Sequence, residues 1–144
     1  MSISKKWIIA IALIVIYLIV RYGMTSYLDR MAKAIQIFEG WKPGSVSYNN
    51  NNPGNLKFAN QPGAIASDSQ GHAIFDTVAH GWQALLNQLK AAFNNTSAVY
   101  NSGMSLYQFF SKYAEANSKE YAEYVAAALG VSANDTLENI KANV

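Results

Sequence analysis

Residues 26–40, SYLDRMAKAIQIFEG, decide the fold because they predict an amphipathic helix with a definite end. Its apolar residues recur at three- and four-residue steps on one helix face: Leu28, Met31, Ile35 and Phe38. Gly40 is a typical stop signal for such a helix. Glu39 is therefore expected at the end of this helix, at the edge of the face that packs into the core.

Glu39 is the candidate catalytic residue of this segment. A carboxyl group beside an apolar helix face loses hydration, so its pKa is expected to rise. A raised pKa keeps the group protonated near neutrality, as a general acid for a glycosidic oxygen must be. The alternative is an exposed glutamate that serves solubility at a helix end, and periodicity alone leaves both interpretations open.

The next segment, residues 41–75, has a different composition. It holds all three prolines of the chain and a run of four asparagines, residues 49–52. Two short apolar stretches, 64–66 and 72–75, flank residues 67–71, which have the composition of a turn. This segment is predicted to form loops and a small, irregular β-hairpin.

Four further helices are predicted after the hairpin. The first begins at Asp76 or Thr77, and its apolar stripe consists of Val78, Trp82, Leu85, Leu86, Leu89 and Phe93. A third stripe covers residues 106–113, and a fourth covers residues 121–128 and ends at Gly130. A last short helix is predicted to start at Asp135, which has capping-box spacing to Glu138. The sequence therefore predicts an α-dominant α+β domain over residues 27–144.

The loop after Glu39 contains a second candidate site, Asn50–Leu56 (NNNPGNL). Asparagine, proline and glycine favour turns, so a purely structural turn is one interpretation. The asparagine amides also supply many donors and acceptors, which suit the hydroxyl and N-acetyl groups of a sugar. Composition leaves the turn and the sugar site equally open.

The N-terminal run Trp7–Val20, WIIAIALIVIYLIV, is apolar throughout and is flanked by Lys5, Lys6 and Arg21. As a helix its fourteen residues rise about 21 Å, somewhat less than the roughly 30 Å of a hydrocarbon core. The favoured interpretation of residues 1–26 is a single N-terminal transmembrane helix with a short linker at Tyr22–Tyr27. A cleaved signal peptide and a buried core helix are the alternatives, although no small-residue cleavage site and no polar face are visible.

Charge and cysteine content narrow the function classes. Lys5, Lys6 and Arg21 carry three of the eleven positive charges, so the rest of the chain has eight basic and nine acidic residues. No basic stripe is present, and nucleic acid is not an expected partner. The absence of cysteine excludes disulfides, thiolate nucleophiles and zinc–thiolate sites.

His72, Asp76 and His80 are spaced by four residues, which would align metal ligands on one face of a helix. Because His72 lies in a predicted strand and the helix begins only near Thr77, no metal site and no cofactor are predicted.

Several segments together resemble the lytic transglycosylase domains of phage virions, which belong to the lysozyme-like superfamily. The central ones are Phe38–Gly40, Asn50–Leu56, His72–Phe75 and Gly81-Trp82. Less specific likeness extends over Leu106–Phe109, Lys112–Ala114, Asn117, Tyr121 and Leu129–Val131. The resemblance covers roughly residues 32–137.

The resemblance implies a lysozyme-like fold and cleavage of the β-1,4 bond between N-acetylmuramic acid and N-acetylglucosamine. One glutamate, Glu39 here, would act first as acid and then as base, while the muramyl 6-hydroxyl attacks to give a 1,6-anhydro product. The substrate-binding residues expected with it are Asn51, Asn52, Asn55, Leu56, Phe75, Tyr113 and Tyr121. Gly40 departs from the family, because many of its members carry serine directly after the glutamate.

A hydrolase with two carboxylates would need a second acid, and Asp68 and Asp76 are the only candidates near the centre of the sequence. Both are predicted to be structural, in a turn and at a helix cap, which favours a single catalytic carboxylate. Tyr113 is open to two interpretations, a hydroxyl near Glu39 or core packing.

The expected partners are peptidoglycan glycan strands, a lipid bilayer through residues 7–20, and virion proteins. The expected location is a virion membrane or a host inner membrane, with the domain facing the periplasm. The alternatives are a non-catalytic glycan-binding or structural virion protein with the same fold and, less favoured, a holin-like or scaffolding membrane protein.

Overall fold

The computed structural model describes residues 5–143, and its described part is mostly helical with one small antiparallel sheet. The elements in chain order are α1 (Lys5–Phe38), α2 (Val46–Asn49), β1 (Ala64–Ser67), β2 (Ala73–Phe75), α3 (Val78–Phe93), α4 (Leu106–Tyr113), α5 (Ser118–Leu129) and α6 (Leu137–Asn143). This confirms the predicted α-dominant α+β class with a β-hairpin.

Helix α1 is one continuous helix that runs through Tyr22–Tyr27, where the sequence predicted a short linker. Its last part is buried in the core, through Tyr27, Leu28, Met31, Ala32, Ala34 and Ile35. The helix ends as predicted, because Gly40 adopts a left-handed conformation with φ of +71°. The backbone N–H groups of Gly40 and Trp41 donate to carbonyls of the last turn, which completes a Schellman motif.

The first part of α1 carries mainly exposed apolar side chains from Trp7 to Leu18. Within residues 5–143, none of the helices combines the length and the apolar character needed to cross a membrane. The transmembrane helix predicted for residues 7–20 is therefore not found in this part of the chain. Residues 1–4 of the predicted anchor lie outside the described residues.

The core forms where α1 and α4 pack against α5 and α3 packs against α1. Stacked aromatic rings run through its centre, because Tyr121 of α5 lies 4.0 Å from Phe38 and 4.3 Å from Phe110 between ring centroids. Burial of rings of this size is a main contribution to the stability of a small core. The same stack fixes Tyr121 beside the end of α1.

The hairpin pairs Ser67 with Ala73 and Ala66 with Ile74, and an irregularity follows towards Ala64. Its turn is held by Asp68, whose carboxylate accepts hydrogen bonds from the backbone N–H groups of Gln70 and His72. The prediction of a small, irregular hairpin with its turn at residues 67–71 is confirmed.

Helix caps agree with the sequence at two ends and differ at a third. Thr77 caps α3 by accepting from the N–H of His80, and Gly130 ends α5 with φ of +73°. The prediction that Asp135 caps the last helix is wrong, because its carboxylate accepts from the N–H of Ser132. The hydroxyl of Thr136 caps α6 instead. The sequence also gave no prediction of α2, which Ser45 caps.

Candidate active site

Glu39 directly follows α1 and lies against α5. Its backbone N–H donates to the carbonyl of Ile35, so the residue keeps the helical path up to the turn at Gly40. The hydroxyl of Tyr121 donates to Glu39 Oε1 at 2.8 Å. The helix end and the aromatic stack therefore place one carboxyl group and one phenol in direct contact.

Burial raises the pKa of Glu39 above its ordinary value. Hydrogen bonds from Tyr121 and Asn55 act in the opposite direction, as does the charge of His72, but they do not cancel the effect of burial. The negative charge of Glu115 adds to the rise. Glu39 therefore keeps its proton to higher pH than an exposed glutamate does. After the proton has left, Tyr121 and Asn55 stabilise the carboxylate.

A cleft of about 530 Å³ opens in front of Glu39. This volume lies within the range of small-molecule and sugar sites. Its polar and charged lining residues include Glu39, Asn55, Lys57, Lys112, Tyr113, Glu115 and Tyr121. They come from the end of α1, the loop after α2, and the α4–α5 region, so the cleft lies where the helical part meets the hairpin side.

Asn55 presents its amide to this cleft. Its backbone has a left-handed conformation with φ of +49°, which asparagine tolerates better than most residues. Its side chain donates to Glu39 and so lowers the pKa of that group. Its Oδ1 atom is buried without a hydrogen-bond partner among residues 5–143. Buried acceptors are nearly always bonded, so this unpaired oxygen is an exception within the loop.

Asn51 and Asn52 hold the loop together. The side chain of Asn52 is fully buried, donates to the carbonyls of Leu56 and Ala73 at 2.9 Å each, and accepts from the N–H of Leu56. Asn51 donates to the carbonyl of Phe75. Both amides tie the loop to the hairpin, and neither residue belongs to the cleft lining.

The remaining predicted site residues divide between the cleft and the core. Phe75 is 1% exposed and packs in the core, whereas Leu56 is buried but also borders the cleft. The hydroxyl of Tyr113 donates to the carbonyl of Gly54 at 2.6 Å, and burial raises its pKa well above the ordinary value. Tyr113 therefore fastens the loop to α4, and it packs against Phe109 and Phe110 while it lines the cleft.

Gly54 and Gly81 allow the loop to approach its neighbours. A Cβ atom on Gly81 would lie 1.9 Å from the carbonyl oxygen of Asn51, and one on Gly54 would lie 2.8 Å from the Tyr113 hydroxyl. Both distances are shorter than van der Waals contact. Glycine is therefore required at Gly81, where the backbone of the loop meets α3, whereas a Cβ on Gly54 would need the Tyr113 side chain to shift.

Lys57, His72 and Glu115 form a polar cluster at the cleft that the sequence did not predict. Lys57 Nζ contacts Glu115 Oε1 and lies 3.2 Å from His72 Nε2. His72 Nε2 in turn lies 3.4 Å from Glu115 Oε1. Lys57 directly follows the asparagine-rich loop and Glu115 follows α4, so their proximity depends on tertiary packing and leaves no local sequence signal.

The two aspartates considered as second acids have structural roles. Although desolvation acts to raise the pKa of Asp68, hydrogen bonds from the His72 backbone, Asn50 and Gln70 lower it to about 2. Asp76 pairs with His80 Nδ1 at 2.6 Å, and this hydrogen bond lowers its pKa. Neither residue lines the cleft.

His72 and His80, whose spacing with Asp76 would suit metal ligands on a helix, lie in separate pairs. His72 contacts Asp68, and His80 contacts Asp76. Over residues 5–143, no group of three or more histidine, aspartate and glutamate side chains is arranged to hold a metal ion.

Tyr121→Phe is expected to raise the pKa of Glu39 further. The lost hydrogen bond stabilises the carboxylate form, so its removal favours the protonated acid. In an NMR titration of the Glu39 carboxyl group the midpoint should therefore move to higher pH. Tyr124→Phe, on the same helix and 40% exposed, is the matched control and should leave the midpoint in place. A midpoint that stays or moves to lower pH in Tyr121→Phe would show that this bond does not tune Glu39.

Searches of protein-family models, curated proteins and solved structures gave no match to this chain. The side chains of the cleft therefore carry the argument for a function. A desolvated carboxylic acid, a donor to its conjugate base and an amide side chain at the cleft together suit proton transfer to a polar, hydroxyl-rich substrate.

Proposed function

We propose that this protein cleaves the β-1,4 bond between N-acetylmuramic acid and N-acetylglucosamine in peptidoglycan, with Glu39 as the general acid. The observation that carries the proposal is the desolvated Glu39 in a sugar-sized cleft, with a raised pKa and a hydrogen bond from Tyr121. The resemblance of the Glu39 and Asn50–Leu56 segments to phage lytic transglycosylases supplies the substrate class.

The proposed reaction uses Glu39 twice. The protonated carboxyl gives its proton to the glycosidic oxygen while the bond from that oxygen to C1 breaks. The carboxylate then accepts the proton of the muramyl 6-hydroxyl as its oxygen bonds to C1, which closes the 1,6-anhydro ring and restores the acid. Between these steps, hydrogen bonds from Tyr121 and Asn55 stabilise the carboxylate.

Asn55 is proposed to position the substrate. It lines the cleft beside Glu39, and its side chain lowers the pKa of that carboxyl group. A side-chain amide suits the hydroxyl and N-acetyl groups of a sugar. A sugar held at Asn55 would lie next to the acid.

The enzyme is further proposed to work at a lipid bilayer, in a virion or in the host envelope during genome entry or lysis. The exposed apolar side chains at the start of α1 are Trp7, Ile8, Ile9, Ile11, Leu13, Ile14, Val15, Ile16 and Leu18. A helix segment that is apolar on all sides is typical of one surrounded by protein core or lipid. The proposal is that this segment contacts lipid and holds the domain at the membrane.

Lipid attachment is tested by flotation of the full chain with anionic phospholipid vesicles. The double substitution of Ile9 and Leu13 by lysine places two charges in the exposed segment, and we expect it to abolish flotation. Ile65→Lys is the control, because Ile65 is equally exposed but lies in β1. Flotation that survives the double substitution would refute lipid contact through this segment.

Cleavage is tested by incubating the full chain, kept in mild detergent, with purified sacculi. The expected result is a falling turbidity and the release of glycan fragments. Co-sedimentation with the sacculi is measured in parallel. Binding without release would identify a non-catalytic glycan-binding protein, and neither binding nor release would remove peptidoglycan as the ligand.

A further inference from the structure

The cleft contains a second carboxylate, Glu115, in the connection between α4 and α5. It lines the same cleft as Glu39, and it lies near enough for its charge to raise the pKa of Glu39. The two carboxyl groups come from the end of α1 and from the α4–α5 connection. A sugar bound in the cleft would lie near both groups.

Glu115 is held in place although its side chain is 61% exposed. Lys57 contacts its Oε1 atom, and Lys57 itself donates to the carbonyl of Gln70 at 3.0 Å. His72, only 2% exposed, approaches the same oxygen with Nε2, while its Nδ1 lies 3.2 Å from Asp68. Lys57 and His72 therefore approach the same carboxylate oxygen and restrain Glu115 at the cleft.

The two carboxyl groups have opposite environments. The hydrogen bond from Lys57 lowers the pKa of Glu115, whereas burial raises the pKa of Glu39. Glu115 is thus ionised under conditions where Glu39 still carries its proton. A pair of carboxyl groups whose environments separate their pKa values is the usual acid and base arrangement of glycosidases.

Building on the proposed cleavage reaction, we propose that Glu115 is a second catalytic carboxylate, which activates a water molecule for attack on C1 of the sugar. The water oxygen bonds to C1 as the glycosidic bond breaks, the leaving oxygen takes the proton of Glu39, and Glu115 accepts a proton from the water. The product is a reducing end, formed with consumption of one water. Hydrolysis through Glu115 competes with attack by the muramyl 6-hydroxyl.

The test is the ratio of reducing to anhydro ends released by the full chain. The peptidoglycan is first reduced with borohydride, so every reducing end detected by mass spectrometry is new. The wild-type protein is expected to give both kinds of end. Glu115→Gln should lower the ratio at least about 10-fold, in line with the loss of a general base, while anhydro ends persist. Glu120→Gln, an exposed glutamate of α5 outside the cleft, is the control.

Three outcomes overturn the inference: no reducing ends from the wild type, an unchanged ratio in folded Glu115→Gln, or a parallel loss of both products. Should Glu115→Gln fail to fold, Lys57→Met removes the support of Glu115 and is expected to lower the ratio in the same direction; an unchanged ratio there would overturn the inference. A wild-type protein that cleaves nothing would instead refute the proposed function itself, so the two failures are distinguishable.

Discussion

Glu39→Gln is expected to lower the rate of glycan release by about 10²–10⁴-fold, the usual contribution of a general acid. Glutamine keeps the shape of the side chain and can still accept the hydrogen bond from Tyr121, but it has no proton of comparable acidity to give. Since both proposed routes need the proton of Glu39 for the leaving oxygen, both anhydro and reducing ends should decrease together. Initial rates of fragment release at substrate saturation measure the effect.

The same substitution should stabilise the fold at neutral pH. Because burial raises the folded-state pKa of Glu39, ionising it is less favourable in the folded protein than in the unfolded chain. The contribution of Glu39 to stability is complete below the pKa that Glu39 has in the unfolded chain, and it decreases as pH rises through the pKa of Glu39 in the folded protein. Glutamine does not ionise, so Glu39→Gln avoids this decrease. The unfolding temperature of the variant should therefore exceed that of the wild type at pH 7.5 and match it in acid.

Glu120→Gln serves as the control for both measurements, since Glu120 is exposed on α5 and lies outside the cleft. It should change neither the rate nor the difference in unfolding temperature between the two pH values. Undiminished release by folded Glu39→Gln would remove Glu39 from its role, and a lower unfolding temperature at pH 7.5 would contradict the burial of its carboxyl group.

Asn52→Ala is expected to lower the free energy of unfolding by about 4 kcal/mol, because three hydrogen bonds are lost in a site closed to water. The N–H of Leu56 and the carbonyls of Leu56 and Ala73 would lose their partner. The Asn52 side chain is 0% exposed, so water cannot replace it without opening the loop. Chemical denaturation followed by tryptophan fluorescence measures the change.

Asn49→Ala is the matched control in the same asparagine run, because Asn49 is exposed at the end of α2. Its effect on unfolding should stay within about 0.5 kcal/mol, as for ordinary surface substitutions. A stable Asn52→Ala protein with weakened glycan binding would instead support direct contact between Asn52 and the substrate, as the resemblance implied.

The position of Glu39 was predictable because it depends on local rules. The apolar steps of residues 26–40 define one helix face, and Gly40 ends the helix in the left-handed conformation that glycine favours. The hairpin and the cap at Thr77 follow equally from turn and cap chemistry. These features need only neighbouring residues, and the sequence contains them in full.

The roles of the individual asparagines were not predictable from composition. Asn52 and Asn55 are three positions apart in the same loop. Asn52 is buried and hydrogen-bonds the loop to the hairpin, whereas Asn55 borders the cleft. The difference arises from the path of the loop, including its left-handed residues at Asn51 and Asn55. Sequence patterns give the hydrogen-bonding capacity of a side chain but not the direction in which it points.

The cluster around Glu115 depended on longer-range packing. Lys57 and Glu115 meet only because the loop after α2 and the α4–α5 connection line the same cleft. Helix α1 continues through Tyr22–Tyr27, and helix propensity is too weak a prior to distinguish a linker from a helix there. At α6, Asp135 and Thr136 are adjacent and each could cap the helix. The cap is Thr136, one position after the predicted residue.

Mass spectrometry of the fragments that the full chain releases from purified peptidoglycan tests the central claim most directly. The account predicts fragments whose new ends are muramic acid, with the 1,6-anhydro form among them, and their near-complete absence with Glu39→Gln. New ends at N-acetylglucosamine, free stem-peptide termini, or no fragments from a folded wild-type protein would contradict it.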